Sequence, residues 1–197
     1  TTPGNLGAGT FGTWQFFSST DSLGLSFDAT HTNWTIGADT DDVTTLDNIA
    51  VRNGDVVIQE GFPFTGASGV VTTINRIRTS PNGDWLASFT GTGSIIHIVR
   101  NGAVILKTGD LVPGGNGETF NRTTFGVVGN ANGDYVYGVE TTEPDVLRDG
   151  VLVLNNTTVI ARQNDPIDLN NDGIFNDDAF IRTIENDNMF MSNTDVY

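Results

Sequence analysis

The sequence predicts an all-β protein of antiparallel four-stranded repeats, and three observations predict it. Gly occurs 24 times, and Thr, Asn and Asp are abundant while Lys and Glu are scarce; Thr and Val suit a pleated backbone, and Gly, Asn and Asp supply turns. Short marks recur at a fixed period along the chain. No window carries sustained helical periodicity.

Taken in order, Thr1 to Gly9 form a Gly-containing arm, and Thr10 to Thr32 form an apolar, strand-forming stretch that includes Phe11, Trp14, Phe16, Phe17 and Phe27. Residues 1–33 match nothing in the repeat. The repeat domain is expected over 34–197, in units 34–83, 84–133 and 134–187 with a partial unit at 188–197. Its first mark is Val51-Arg52-Asn53-Gly54, repeated as Val99-Arg100-Asn101-Gly102 and as Leu147-Arg148-Asp149-Gly150, with the arginines 48 residues apart each time. A second is Asn82-Gly83-Asp84-Trp85, matched by Asn132-Gly133-Asp134-Tyr135 and more loosely by Asn186-Asp187-Asn188-Met189. The third is Ile74-Asn75-Arg76-Ile77, Phe120-Asn121-Arg122-Thr123 and Phe180-Ile181-Arg182-Thr183. Asn-Gly and Asp-Gly between alternating apolar residues signal hairpins, because the favoured tight turns need positive φ. Each period therefore holds two hairpins, which is the strand content of a β-propeller blade. Three periods do not close a ring, so an open or incomplete propeller is expected.

The Arg-Asn-Gly hairpin, the loop Gly109 to Gly114 and the Asn-Gly-Asp turn followed by Trp or Tyr resemble the tandem propeller-like repeats of large bacterial secreted proteins. The resemblance covers roughly residues 34 to 197 and implies architecture, extracellular location and interaction more than chemistry.

Net charge excludes some partners. With 24 acidic against 9 basic residues the chain carries −15 at pH 7, which repels nucleic-acid phosphates and anionic membrane surfaces. No apolar run is long enough to span a bilayer. The absence of Cys removes disulfides, thiolate nucleophiles and Cys-ligated zinc. The opening Thr1-Thr2-Pro3-Gly4 suits a processed, exported protein at the cell surface or outside the cell.

The best chemical motif runs from Asp168 to Asp178. Calcium takes about six to eight oxygens, wrapped by side chains at loop positions 1, 3 and 5, a Gly at 6 and a carbonyl at 7. Asp168, Asn170, Asp172, Gly173 and Ile174 fit that spacing, which resembles calcium loops of the dockerin and EF-hand type. Ala179 stands where the closing acid belongs, so Asp178 is the expected last ligand of a Ca2+ site. The bland alternative is a solvated Asn/Asp-rich turn inserted into the third repeat. Asn33, Asn121, Asn155 and Asn156 fit the N-glycosylation acceptor pattern, Thr-rich faces offer O-linked sites, and unmodified polar surface is the alternative. Arg52, Arg100 and Arg148 read as one structural position and Arg76, Arg122 and Arg182 as another. Trp34, Trp85 and Tyr135 read as core between units.

Catalytic material is thin. His31 and His97 read as ordinary satisfied histidines, no Ser sits in a nucleophile elbow, and no phosphate-cradling loop opens a helix. The expected protein is not an enzyme. It is an extracellular structural protein that self-assembles into a filament or surface layer, with Phe11, Trp14, Phe16 and Phe17 of one copy meeting Met189 and Phe190 of another. Closure within one chain uses the same groups, and the alternative function is a module binding glycan or protein.

Overall fold

The structure, a computed structural model, describes residues 24–40, 46–184 and 189–193, the backbone of 14–16, and Arg122 without its side chain. Asn-Gly pairs set the strand boundaries. Asn53 and Asn101 have φ of 52° and 49°, with Gly54 and Gly102 also positive, so both pairs form tight hairpin turns. At Asn82-Gly83 and Asn132-Gly133 only the glycine is positive. There Ser80 N donates to Asp84 O, and Asn130 N to Asp134 O, which is a longer turn ending in a left-handed glycine.

These turns organise three antiparallel sheets. The first contains β1 (Trp14–Phe16), β2 (Ser26–Phe27), β3 (Trp34–Thr40), β4 (Asn48–Arg52) and β5 (Asp55–Gln59) in the order β1-β3-β4-β5, with β2 also paired to β3. The second is a meander of β6 (Val71–Thr79), β7 (Trp85–Gly91), β8 (Ile95–Arg100) and β9 (Ala103–Lys107). The third repeats it with β10 (Phe120–Gly129), β11 (Tyr135–Thr141), β12 (Gly150–Leu154) and β13 (Thr158–Arg162). A single 3-10 turn at Thr92–Ser94 is the one helical piece among the described residues. The protein is thus all-β, as expected, and a unit counted from Trp34 straddles two sheets, because β6 joins β7 rather than β5.

Strand alternation builds the core between sheets. β6 packs on β2, β3, β4 and β5, and β10 packs on β6, β7 and β8, so the first strand of each sheet crosses the face of the sheet before it. Ala50, Ile58, Ile74, Ile77, Trp85 and Phe89 form one buried cluster; Leu86, Ile98, Phe120, Val127, Tyr135 and Tyr137 form the next. Ala87 and Leu86 are adjacent in β7 and fall in different clusters, so each strand serves the sheet on either side. Trp85 and Tyr135 therefore sit between sheets, as their recurrence suggested.

One expected hairpin is displaced. Asp149-Gly150 leads into β12, and the β12–β13 turn is at Asn155-Asn156, with φ of 51° and 55°. The third counterpart of Arg52 and Arg100 is therefore Leu154, whereas Arg148 lies before β12, 3.6 Å from Asp165. Arg52 Nη2 donates to Gly83 O, and Arg100 Nη2 to Gly133 O, so each of the two ties its sheet to the first turn of the following sheet. Arg100 also holds Asp84 through Nε and Nη2 and lies 4.6 Å from the Tyr135 ring centroid.

Candidate functional site

Three linkers, two between sheets and one after β13, share one bonding scheme. Gly61 N donates to Val71 O and Val71 N to Phe62 O; Gly109 N donates to Phe120 O and Phe120 N to Asp110 O. After β13 the same pair recurs, Asn164 N to Ile181 O at 2.6 Å and Ile181 N to Asp165 O at 2.9 Å. Gly61, Gly109 and Asn164 all have positive φ, and isolated bridges Pro63 with Val70, Leu111 with Thr119, and Pro166 with Phe180 follow in step. Ile181 thus stands where Val71 starts β6 and Phe120 starts β10. Since Arg76, Arg122 and Arg182 lie five, two and one residues after these equivalent points, they do not share one repeat position.

The segment from Ile181 continues as a first strand would. Ile184 is buried, as Ile74 is in β6. Met189 is 9% exposed, and its Cε lies 3.4 Å from where a Cβ on Gly126 of β10 would stand. Asn130 Nδ2 donates to Ser192 O, Ala131 N to Asn193 Oδ1 and Asn132 Nδ2 to Asn193 O, which seats the end of the segment on the β10–β11 turn. Phe180 and Phe190 face outward at 50% and 69% exposure. Within it Met191 forms a β-bridge, and no ladder of the kind that joins β6 to β7 is assigned to the segment among the described residues.

The first sheet is paired differently along the equivalent edge. β6 pairs with β7 from Val71 opposite Gly91 to Thr79 opposite Trp85, and β10 with β11 from Phe120 opposite Thr141 to Gly129 opposite Tyr135. The equivalent edge of β3 meets β1 at Thr40 and Asp39 and β2 at Thr35 and Trp34. Ile36, Gly37 and Ala38 pair with β4 on their other side, and among the described residues no strand pairs with them on this one. Of the expected assembly residues, Trp14 and Phe16 belong to β1, Met189 and Phe190 to the C-terminal segment, and Phe11 and Phe17 lie outside the described residues.

The Asp168 loop is an insertion in the third linker, and its core has the expected wrap. Asp168 accepts from Asp172 N and Gly173 N, Asn170 Oδ1 accepts from Asp172 N, and Asp172 Oδ1 accepts from Ile174 N. The later carboxylate that reaches this loop is Asp177, which accepts from Leu169 N and from both nitrogens of Asn170. Asp178 is exposed, at φ 54°, and Ile174 O accepts from Asn176 N. No group of three or more His, Cys, Asp or Glu side chains gathers at metal-binding distance among the described residues.

Three of the four glycosylation candidates are framework groups. Trp34 N, Trp85 N and Tyr135 N donate to the Oδ1 of Asn53, Asn101 and Asn155, and the same three asparagines donate to Asn33, Asp84 and Asp134. Asn33 Nδ2 donates in turn to Asp28, whose carboxyl is held well below the usual range by this and by bonds from Thr30 and Thr32. Asn156 Nδ2 donates to Ile105 O, and its Oδ1 accepts from Tyr137. A sugar would replace one hydrogen of each Nδ2 and would have to fit beside the bonds these side chains make. Asn121 is half-buried on β10. This clamp joins the turn asparagine to the residue before each aromatic; its signal was the polar residue, Asn33, Asp84 or Asp134, directly ahead of Trp34, Trp85 and Tyr135.

His97 differs from expectation. It is fully buried, stacks on Phe89 at 4.7 Å, and neither ring nitrogen reaches a hydrogen-bond partner among the described residues. Burial pushes its imidazole below the ordinary value. His31 is exposed and meets the edge of Phe27. Comparison with protein-family models, with curated proteins and with solved structures returns no match.

Proposed function

We propose that the chain is an extracellular structural protein that self-assembles head to tail through its terminal segments, with its sheets serving as blades of an open, propeller-like stack. One observation carries this reading: the segment from Ile181 repeats the linker bonding and inward burial of β6 and β10, so a further unit begins after the third sheet. A unit begun at one end of the chain is one that a second copy can extend by strand addition. Because the C-terminal segment and the first sheet are different surfaces of one molecule, a contact between them in two copies is heterologous and propagates. Burying Phe190 against a neighbour adds about 1.5–3 kcal/mol per contact.

Composition supports the setting. A chain with no Cys, 24 acidic residues and dense Asn, Thr and Gly suits a solvated scaffold. Calcium at the Asp168 loop is part of the proposal, with Asp168, Asn170 and Asp172 as ligands and Asp177 as the later carboxylate; the metal would pin the linker that delivers Ile181. The test is size-exclusion and negative-stain imaging over a concentration series. Filaments or an open ladder of oligomers support the proposal. A monodisperse particle near 21.0 kDa at every concentration favours the binding-module alternative instead.

A further inference from the structure

We infer that Asn116-Gly117 is a site of spontaneous covalent modification, at which the Gly117 amide attacks the Asn116 side chain and the asparagine becomes aspartate and isoaspartate through a cyclic imide.

Asn-Gly pairs stand at 53, 82, 101, 116 and 132 in the chain. Asparagine reacts most readily before glycine, because no Cβ on the following residue obstructs the approach of its nitrogen to Cγ. The reaction needs a side-chain amide free to turn and a glycine N–H free to give up its proton.

Four of the pairs are held. Asn53 and Asn101 are fixed at both ends of the side-chain amide, since Oδ1 accepts from Trp34 N and Trp85 N while Nδ2 donates to Asn33 and Asp84. At the next two the nucleophile is engaged, with Gly83 N donating to Ser80 O and Gly133 N to Asn130 O. Their side chains are tied as well, Asn82 Oδ1 by Asp84 N and Asn132 Nδ2 by Asn193 O.

Asn116-Gly117 escapes these restraints. Both residues are exposed, and among the described residues neither the Asn116 side chain nor Gly117 N makes a hydrogen bond. Nothing lies within 4 Å of where a Cβ on Gly117 would stand, so the imide ring has room. The chain on either side is pinned: Gly115 N donates to Val112 O, Val112 N to Glu118 O, and the buried Glu118 carboxylate meets Arg162 at 2.7 Å. The reactive pair is the free crest of a fixed loop.

Water is the only co-reactant. Gly117 N loses its proton to solvent and bonds to Asn116 Cγ, and Nδ2 leaves as ammonia. Water then opens the imide at either carbonyl. Breaking the new N–Cγ bond gives aspartate; breaking the original backbone C–N bond gives isoaspartate, whose main chain runs through Cγ and is longer by a methylene. Either product adds a negative charge to a chain already at −15, so the linker between the second and third sheets acidifies with age.

The test incubates the folded full chain at mildly alkaline pH in heavy-oxygen water, with a parallel sample in urea. Peptide mapping by mass spectrometry reads the labelled acid at each Asn-Gly pair, and electron-transfer fragmentation separates isoaspartate from aspartate. In the folded chain the pair at 116 should convert about tenfold faster than the other four, which must first open hydrogen-bonded turns. In urea the rates should draw together. Asn116→Gln should remove the early acidic species on ion exchange, because the longer side chain closes a larger ring more slowly. A pair at 116 that reacts no faster than the others in the folded chain, or whose lead is the same in urea, overturns the inference. An early acidic species that persists in Asn116→Gln overturns it too.

Discussion

Asn101 shows how one side chain fixes a hairpin and a neighbouring strand at once. Its left-handed backbone makes the turn, its Oδ1 accepts from Trp85 N at 2.9 Å, and its Nδ2 donates to Asp84 at 2.7 Å, where Arg100 also binds. Gly114 does comparable work by having no side chain. At φ 76° its Cβ would lie 2.7–2.8 Å from Val159 N, Thr157 O and Thr158 Cα, all backbone of the following sheet. Gly114→Ala should therefore cost about 2–4 kcal/mol, from a left-handed alanine and a clash that cannot yield. Gly117, also left-handed but with nothing within 4 Å, is the control, and Gly117→Ala should cost only about 1–2 kcal/mol. Urea midpoints measure both.

His97 supplies a pH prediction. In the unfolded chain the imidazole protonates near 6.5, while burial holds it neutral to lower pH in the fold, beside Lys107 and Asp110. Below about 6.5 the unfolded state binds more protons, so stability falls as pH drops through that window. His97→Leu should flatten this part of the stability profile between pH 7.5 and about pH 5; an unchanged slope would show that other groups set it.

At the scale of elements, a recurring linker delivers each first strand, and the third linker carries the Asp168 insertion. If calcium binds there, chelation should lower the melting temperature of the whole chain, because a ligand that prefers the folded state stabilises it by mass action. A melting curve indifferent to both chelator and added Ca2+ would make the loop a polar turn closed by Asp177.

Much of this level was legible from residues. Asn53-Gly54 and Asn101-Gly102 announced hairpins because positive φ at two successive positions restricts the choice of residue. The third turn hid because Asn155-Asn156 has no glycine, although asparagine tolerates the same conformation, and Asp149-Gly150 offered a decoy 48 residues from the previous mark. The third sheet's β11–β12 connection is longer than the Thr92–Ser94 turn in the second, so spacing alone placed Arg148 wrongly. The grouping of strands into sheets was not legible either. The Asn82-Gly83 turn announced the β6–β7 hairpin, but that β5 and β6 lie in different sheets is set by packing across the sheet faces, which no local signal records.

For the whole molecule, charge opposes the assembly that the strand pattern favours. Copies carrying −15 repel one another, and the Debye length shrinks from about 30 Å at 0.01 M salt to about 8 Å at 0.15 M. Light scattering at fixed protein concentration should therefore rise across that range, whereas association that weakens with salt would point to an interface held by opposite charges.

The central claim is that the chain carries a first strand completed by another copy, and amide hydrogen exchange reads it most directly. Comparing dilute with assembled protein, amides in 182–184 and at 189 and 190 should exchange fast in the dilute chain and become protected to the level of β6 and β10 on assembly. Exchange at these positions that is the same in both states would contradict the account.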